Sequence, residues 1–269
     1  MSYANEYTPN ELLVVTAARE LHDGELGFVG VGTAGRAFTL AVGIPIAAGR
    51  LATMTHAPNF TIYWGNLLSP DLTRIPPKLT QHHVTTWPCA AQMANTGDKC
   101  DMLARRQFDV CFDSAPQIDR FGNLNITAIG EYRRPKVRLI GCLAQPDHLA
   151  FVDRPIVMTD LSKRTFVERV DFITSVGYLD GGESRQKAGL APGGPWKVIT
   201  DKAVFDFHPE TKEMQVHSVH PGATLEEVLA SMSFRPVVPK EIPATEPPTT
   251  EQVRLIRQEI DPNRILLVA

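Results

Sequence analysis

The chain opens on a helical period. Thr8-Pro9-Asn10-Glu11 sets a capping box with proline at the first helical position, and Leu13, Ala17 and Leu21 recur every four residues until Gly24. Residues 27–31 are continuously apolar or small, as in a buried strand, and run into Gly30-Val31-Gly32-Thr33-Ala34-Gly35. An apolar segment to Ala48, containing Pro45, reads as a helix. Residues 60–63 predict a short strand. Further strand-like runs fall at 109–112, 137–140, 149–152, 156–158 and 170–174, with one helix starting near Ala91. This is an α/β pattern. After Trp196, residues 197–200, 203–207 and 214–218 alternate like antiparallel strands around the turn His208-Pro209-Glu210-Thr211. Thr224 and Glu227 form a second capping box. Pro236, Pro239, Pro243, Pro247 and Pro248 mark an extended connector over 236–250, followed by a last helix over 251–260 capped near Thr249. Its stripe of Val253, Ile256 and Ile260 suits docking on its own domain, with a partner surface as the alternative.

At 269 residues the chain can bury a full core, and a single domain over 1–269 is expected. No apolar run comes near the ~20 residues of a membrane span, so the reading is a cytoplasmic protein without membrane association. The net charge of -3 argues against nucleic-acid binding. Arg133, Arg134, Lys136 and Arg138 form one short basic cluster, either a solvated strand edge or a contact to a phosphate-bearing ligand. Cys89, Cys100, Cys111 and Cys142 match no zinc spacing, so no metal is expected; Cys111 and Cys142 lie in strand-like runs and are predicted buried.

Gly30, Gly32 and Gly35 satisfy G-x-G-x-x-G between a strand and a helix, the context of a dinucleotide fold. Such a site wants an acid about 20 positions on, and there is no Asp or Glu between Glu25 and Asp71. Arg50 leaves a 2′-phosphate reading open. The alternative is a turn whose bare amides approach a carbonyl or carboxylate of another ligand.

Collinear blocks spread along the chain carry a resemblance. They include Asn5-Glu6-Tyr7-Thr8 with Glu11, Gly30-Val31-Gly32-Thr33, Gln117-Ile118-Asp119 with Gly122-Asn123-Leu124-Asn125, and Ile129-Gly130-Glu131-Tyr132. Later come Lys163-Arg164 with Phe166, Asp171-Phe172-Ile173-Thr174-Ser175 with Gly177, Val198-Ile199-Thr200-Asp201-Lys202, and Ile256-Arg257-Gln258-Glu259-Ile260-Asp261-Pro262. From about Asn5 onward the chain resembles the B-type component of class I, heteromeric CoA-transferases of the glutaconate kind, and more distantly the β chain of a steroid-ring-opening CoA-thioester hydrolase. The resemblance implies an open, largely parallel sheet flanked by helices, with the antiparallel C-terminal section appended. It also implies an A-type partner in a heterotetramer or larger assembly, an active site at the interface between the two chains, and an acyl-CoA substrate. Coenzyme A enters as part of that substrate, with no other bound cofactor.

Members of that family use a glutamate in a Glu-Ser-Gly or Glu-Asn-Gly segment. Its carboxylate attacks the acyl-CoA carbonyl, and CoA then returns to form a glutamyl thioester, which only a carboxyl carbon can hold. The matching stretch here is Thr61-Ile62-Tyr63-Trp64-Gly65, with Tyr63 at the glutamate position and no acid from Leu26 to Pro70 to restore it by a shift. A phenol donates a hydrogen bond but cannot carry CoA as a thioester. A second departure is Gly141-Cys142-Leu143-Ala144-Gln145, where the family has Gly-Ser-Gly-Gly-Ala beside the acyl group. Tyr63 and Asn123 are the expected catalytic residues, Asn123 as a donor to the thioester oxygen, against plain alternatives of aromatic packing and an Asx turn. Gly30, Gly32, Thr33, Trp64, Gly65, Asn66, Gly122, Gly141 and Cys142 are expected around the substrate, and His82 and His83 are weaker candidates. The implied chemistry is hydrolytic C–C cleavage or decarboxylation of a CoA thioester in catabolism of a carboxylic or keto acid. Its alternatives are a genuine transferase using a partner's carboxylate or a ternary complex, and a non-catalytic structural chain.

Overall fold

The three helix starts that carry capping signatures begin where those signatures place them in the computed structural model, which describes residues 2–32, 34–75, 87–92 and 95–268. Thr8, Thr224 and Thr249 each accept from the N3 backbone while the N3 side chain reaches back to the cap, satisfying two terminal donors apiece. Thr33, His82 and His83 lie outside the described residues.

The chain folds into two compact units. The first comprises Met1–Met102, Gln107–Phe112 and Glu246–Ala269. Its strands run in the order β5-β1-β2-β3-β4, with β1 Leu26–Val29, β2 Thr61–Trp64, β3 Leu67–Pro70, β4 Cys89–Gln92 and β5 Val110–Asp113. β5, β1 and β2 are parallel, while β3 and β4 are antiparallel additions, so antiparallel pairing is not confined to the C-terminal section. α1 (Pro9–Ala18) is buried from Glu11 to Ala18 on every side and ends before Leu21. The second helical segment runs past Ala48: α2 (Gly35–Phe38), a wider π turn over Thr39–Gly43, then α3 (Ile44–Met54). Pro45 falls where the π turn over Thr39–Gly43 passes into α3, an irregular point of the helical ladder at which a missing N–H is accommodated. The continuous run Gly35–Met54 is long and apolar enough to cross a membrane, contrary to the sequence expectation. Most of it is buried inside the protein, and it packs on α1, as a core helix does. Arg36, Pro45 and Arg50 interrupt its apolar text and hid its length.

The last helix, Thr250–Leu255 continuing as a π turn over Ile256–Ile260, buries Val253, Ile256 and Ile260 within this first unit. It is tied to α1 by Arg257, which donates Nε to Glu11 at 2.6 Å and a second N–H at 2.9 Å. Glu11 is almost fully buried; burial works against its charge, but Arg257 and Thr8 outweigh this and hold the carboxyl below its ordinary value. That contribution to stability is present above the unfolded value of 4.5 and is lost as pH falls through the lower folded one. Arg257→Leu strands the carboxylate and is expected to cost about 3 kcal/mol at pH 7, read by urea denaturation.

The second unit, Leu103–Arg106 and Asp113–Thr245, carries two short hairpins, β6 Gln117–Ile118 with β7 Leu124–Asn125 and β8 Ala128–Ile129 with β9 Val137–Arg138. β10 (Arg154–Met158) pairs in parallel with β11 (Lys197–Ile199), followed by antiparallel β12 (Ala203–Phe207) and β13 (Met214–Val219). Ile118, Leu124, Phe166, Val198, Phe205 and Val216 are central to its core. The proline-rich connector lies along β13, bridging Gln215 to Val237 and Val219 to Ala244. Three predicted elements fail. Of residues 149–152 the first three belong to the helix Gln145–Phe151 and Val152 is its C-cap, 170–174 form no strand, and Ala91 lies in β4, the next helix being α4 (Thr96–Ala104). Apolar runs of four or five residues do not distinguish strand from buried helix or loop. Each unit thus joins parallel strands to antiparallel ones in a mixed sheet flanked by helices.

Candidate functional site

In sheets of this kind ligands bind beyond the carboxyl ends of parallel strands. In the first unit that edge is formed where β1 and β2 end. Val29 pairs with Trp64, and its carbonyl accepts from the Gly65 N–H at 2.9 Å, so the glycine loop starting at Gly30 lies beside the tip of the β2–β3 hairpin. That hairpin has a two-residue loop, Gly65-Asn66, and Gly65 takes φ 62° at its first position, as a type II′ turn requires. Gly32, at φ 62°, has no room for a side chain: a Cβ would lie 2.6 Å from the Val42 side chain. Gly30 faces open space. Arg50 stands some four helical turns beyond the glycine loop, about 20 Å along the axis, which removes the 2′-phosphate reading.

The structure places Tyr63 and Trp64 at this edge, but successive strand residues face opposite sides, so they do not share one pocket wall. Trp64 packs edge-on against Trp87 at 6.3 Å, its indole N–H buried without an acceptor among the described residues. Tyr63 is fully buried, tilted against Phe28 at 5.8 Å and edge-on to Phe108 at 5.3 Å. Its hydroxyl is likewise buried and has no hydrogen-bond partner among the described residues. Burial pushes the phenol up to about 12, and the charge of Asp98 adds to the shift. The group is therefore neutral across the physiological range and stands as a donor without an acceptor among the described residues.

Asp98 and Lys99 were missed from sequence. α4 presents both: Asp98 in its first turn, exchanging hydrogen bonds with Asn95, and Lys99, which is buried with Nζ 5.4 Å from the centre of the Phe28 ring. The Asn95/Asp98 spacing is a readable helix start. That this turn reaches the Tyr63 cluster is a tertiary fact with no local signal.

In the second unit Asn123 is not free to act. Its Nδ2 donates to both carboxylate oxygens of Asp119, at 3.1 and 3.0 Å, and to the Leu179 carbonyl at 2.8 Å, while Oδ1 accepts from the N–H groups of Gly177 and Leu179. Every donor and acceptor of that amide is used, so the catalytic expectation gives way to the Asx-turn alternative. Burial pushes Asp119 up, partly offset by hydrogen bonds from Asn123 and Phe121. Gly122 is walled by Pro195 and Phe207 and faces no ligand space. Gly141 borders open space, and Cys142 is exposed, against the expectation of burial, because no strand continues beyond Arg138. Sequence reasoning also missed the buried pair His148 and Asp113, joined at 2.9 Å.

Comparison with known proteins gives this geometry a setting. The family model described as Coenzyme A transferase matches residues 11–231. The B subunit of the 3-oxoadipate CoA-transferase of Pseudomonas knackmussii is 33% identical over 253 residues, spanning 93% of this chain and 92% of the relative. The B subunit of the glutaconate CoA-transferase of Acidaminococcus fermentans is 31% identical over 273 residues, covering 98% and 96%. The solved structure of that organism's enzyme superposes with a TM-score of 0.83 at 28% identity over the whole of both chains. More distant is the IpdB component of the cholesterol ring-cleaving hydrolase of Rhodococcus jostii, 26% identical over 237 residues and covering 82% and 83%. Fold and sequence agree, and the chain belongs to the coenzyme A transferase family.

Proposed function

We propose that the chain is the B-type component of a heteromeric enzyme that acts with an A-type partner on an acyl-CoA thioester. The thioester serves as an electron sink while a carbon–carbon bond breaks, by hydrolysis of a keto acid or by decarboxylation, in catabolism of a carboxylic or keto acid. The observation that carries this reading is the Tyr63 phenol, buried, neutral and without a hydrogen-bond partner among the described residues, near the end of β2, where the family's acyl-accepting glutamate would stand. When the bond breaks, its electron pair passes into the thioester as an enolate, and a fixed neutral donor lowers the energy of the oxygen on which charge collects. The enolate carbon is then reprotonated. Similarity to a component of a ring-cleaving hydrolase supports the same direction. A general base from the partner completes the hydrolytic version. Co-expressed with its A-type partner, the enzyme is expected to release carboxylic product or CO2 from a keto- or carboxyacyl-CoA and to exchange no CoA between thioesters and free acids. Robust exchange would refute this.

A second reading has its own support: the more similar relatives are named transferases, and Asp98 lies close enough for its charge to raise Tyr63. Here Asp98 carries CoA in place of the missing glutamate. Asp98→Asn would then abolish exchange by at least about 1,000-fold, whereas the leading reading expects no exchange to abolish.

A further inference from the structure

The second unit carries an ordered arm whose aliphatic side chains its own fold leaves exposed. Among the described residues seven large hydrophobic side chains are exposed, and four lie within residues 132–143: Tyr132 at 53%, Val137 at 49%, Ile140 at 70% and Leu143 at 82%. The backbone beneath them is fixed. Lys136 N donates to Ile129 O, Leu139 N to Thr127 O and Gly141 N to Ile126 O, at 2.9 to 3.0 Å, and Gly130 turns the chain at φ 86°. Tyr132 stacks on Phe172 at 5.0 Å and 21°, with the Arg138 guanidinium 5.2 Å from its ring centre. A pinned backbone that presents aliphatic side chains to solvent marks an interaction surface.

We infer that this arm docks the A-type partner chain, against a face that is apolar at its centre and rimmed by carboxylates. The inference rests on the two-chain reading above and adds the surface through which it is realised. Charge selects the occupant. Arg133, Arg134, Lys136 and Arg138 stand against the single acid Glu131, on a chain of net charge -3. A second copy meeting the arm across a twofold axis would set these cations against their equals, whereas an acidic rim complements them. The phosphates and adenine of CoA fit less well: Phe172 and Arg138 already engage the Tyr132 ring, and Val137, Ile140 and Leu143 give a phosphate nothing.

The test uses the full chain and its A-type partner, with association followed by light scattering on a sizing column. Ile140→Asp with Leu143→Asp is expected to weaken association about 100-fold or more while the isolated chain melts as the wild type does, since both positions are exposed. Arg133→Glu with Arg134→Glu is expected to weaken it at low salt and to flatten its salt dependence. Wild-type affinity in the first variant overturns the inference while leaving the two-chain reading intact; a wild type that forms no complex overturns both. Three other results also overturn it: a raised KM for acyl-CoA with assembly intact, a wild-type homodimer dissolved by the same changes, or wild-type binding to phosphatidylserine vesicles that the changes abolish while the complex survives. Turnover is not the readout for assembly, so failure of the carbon–carbon cleavage chemistry leaves the docking result interpretable.

Discussion

Tyr63→Phe is expected to stabilise the isolated chain by about 1 kcal/mol and to lower turnover of the assembled enzyme about 100-fold or more. The two effects have one cause. The hydroxyl sits in a fully buried position without a partner among the described residues, so its loss removes a desolvation cost while the ring keeps its contacts with Phe28 and Phe108. On the proposed function the same hydroxyl donates to the thioester oxygen in the working complex, so that its loss is felt at the transition state. The phenol also leaves a signature in alkali. Its folded value is raised to about 12 from 10.0, so its contribution is constant below the unfolded value and is lost as pH rises from one to the other. Between these values wild-type stability is expected to fall by about 1.4 kcal/mol per pH unit from this group, a limb that the phenylalanine variant lacks. Urea denaturation of both proteins from the unfolded phenol value up to the folded one reads it. A variant that is destabilised and fully active would return Tyr63 to plain aromatic packing.

Asn123→Ala is expected to cost about 4 kcal/mol and to lower the melting temperature by roughly 10 °C, with any loss of activity following the loss of folded protein. The change removes the Nδ2 hydrogen bonds to both oxygens of the buried Asp119 carboxylate, strands the Leu179 carbonyl, and orphans the N–H groups of Gly177 and Leu179. Asn123→Asp is expected to be no better, since it sets a second carboxylate against Asp119. The measurements are a thermal melt and kcat per folded molecule. A variant that melts normally but has lost kcat would restore the catalytic role read from sequence.

These two residues show what the sequence carried. The chemical gap at Tyr63 was legible because it depends on residue type: no acid occurs from Leu26 to Pro70, whatever the alignment. Helix starts at Thr8, Thr224 and Thr249 were legible because capping is local. The role of Asn123 was not, because two partners that consume its amide lie 54 and 56 residues away. Asp98 and Lys99 escaped for the same reason: a turn of α4 meets the Phe28 and Tyr63 rings only in the folded chain. The π turns at Thr39–Gly43 and Ile256–Ile260 have no sequence signature, and the run Gly35–Met54 hides its length behind two arginines and a proline.

The central claim is that a phenol has displaced the carboxyl that would hold coenzyme A. The direct measurement is the intact mass of this chain after the assembled enzyme is mixed with substrate acyl-CoA and quenched in acid within one turnover. The account predicts an unchanged mass and no hydroxylamine-sensitive adduct. A chain heavier by coenzyme A less one water, with the thioester mapped to Asp98 or any other acid of this polypeptide, would contradict it.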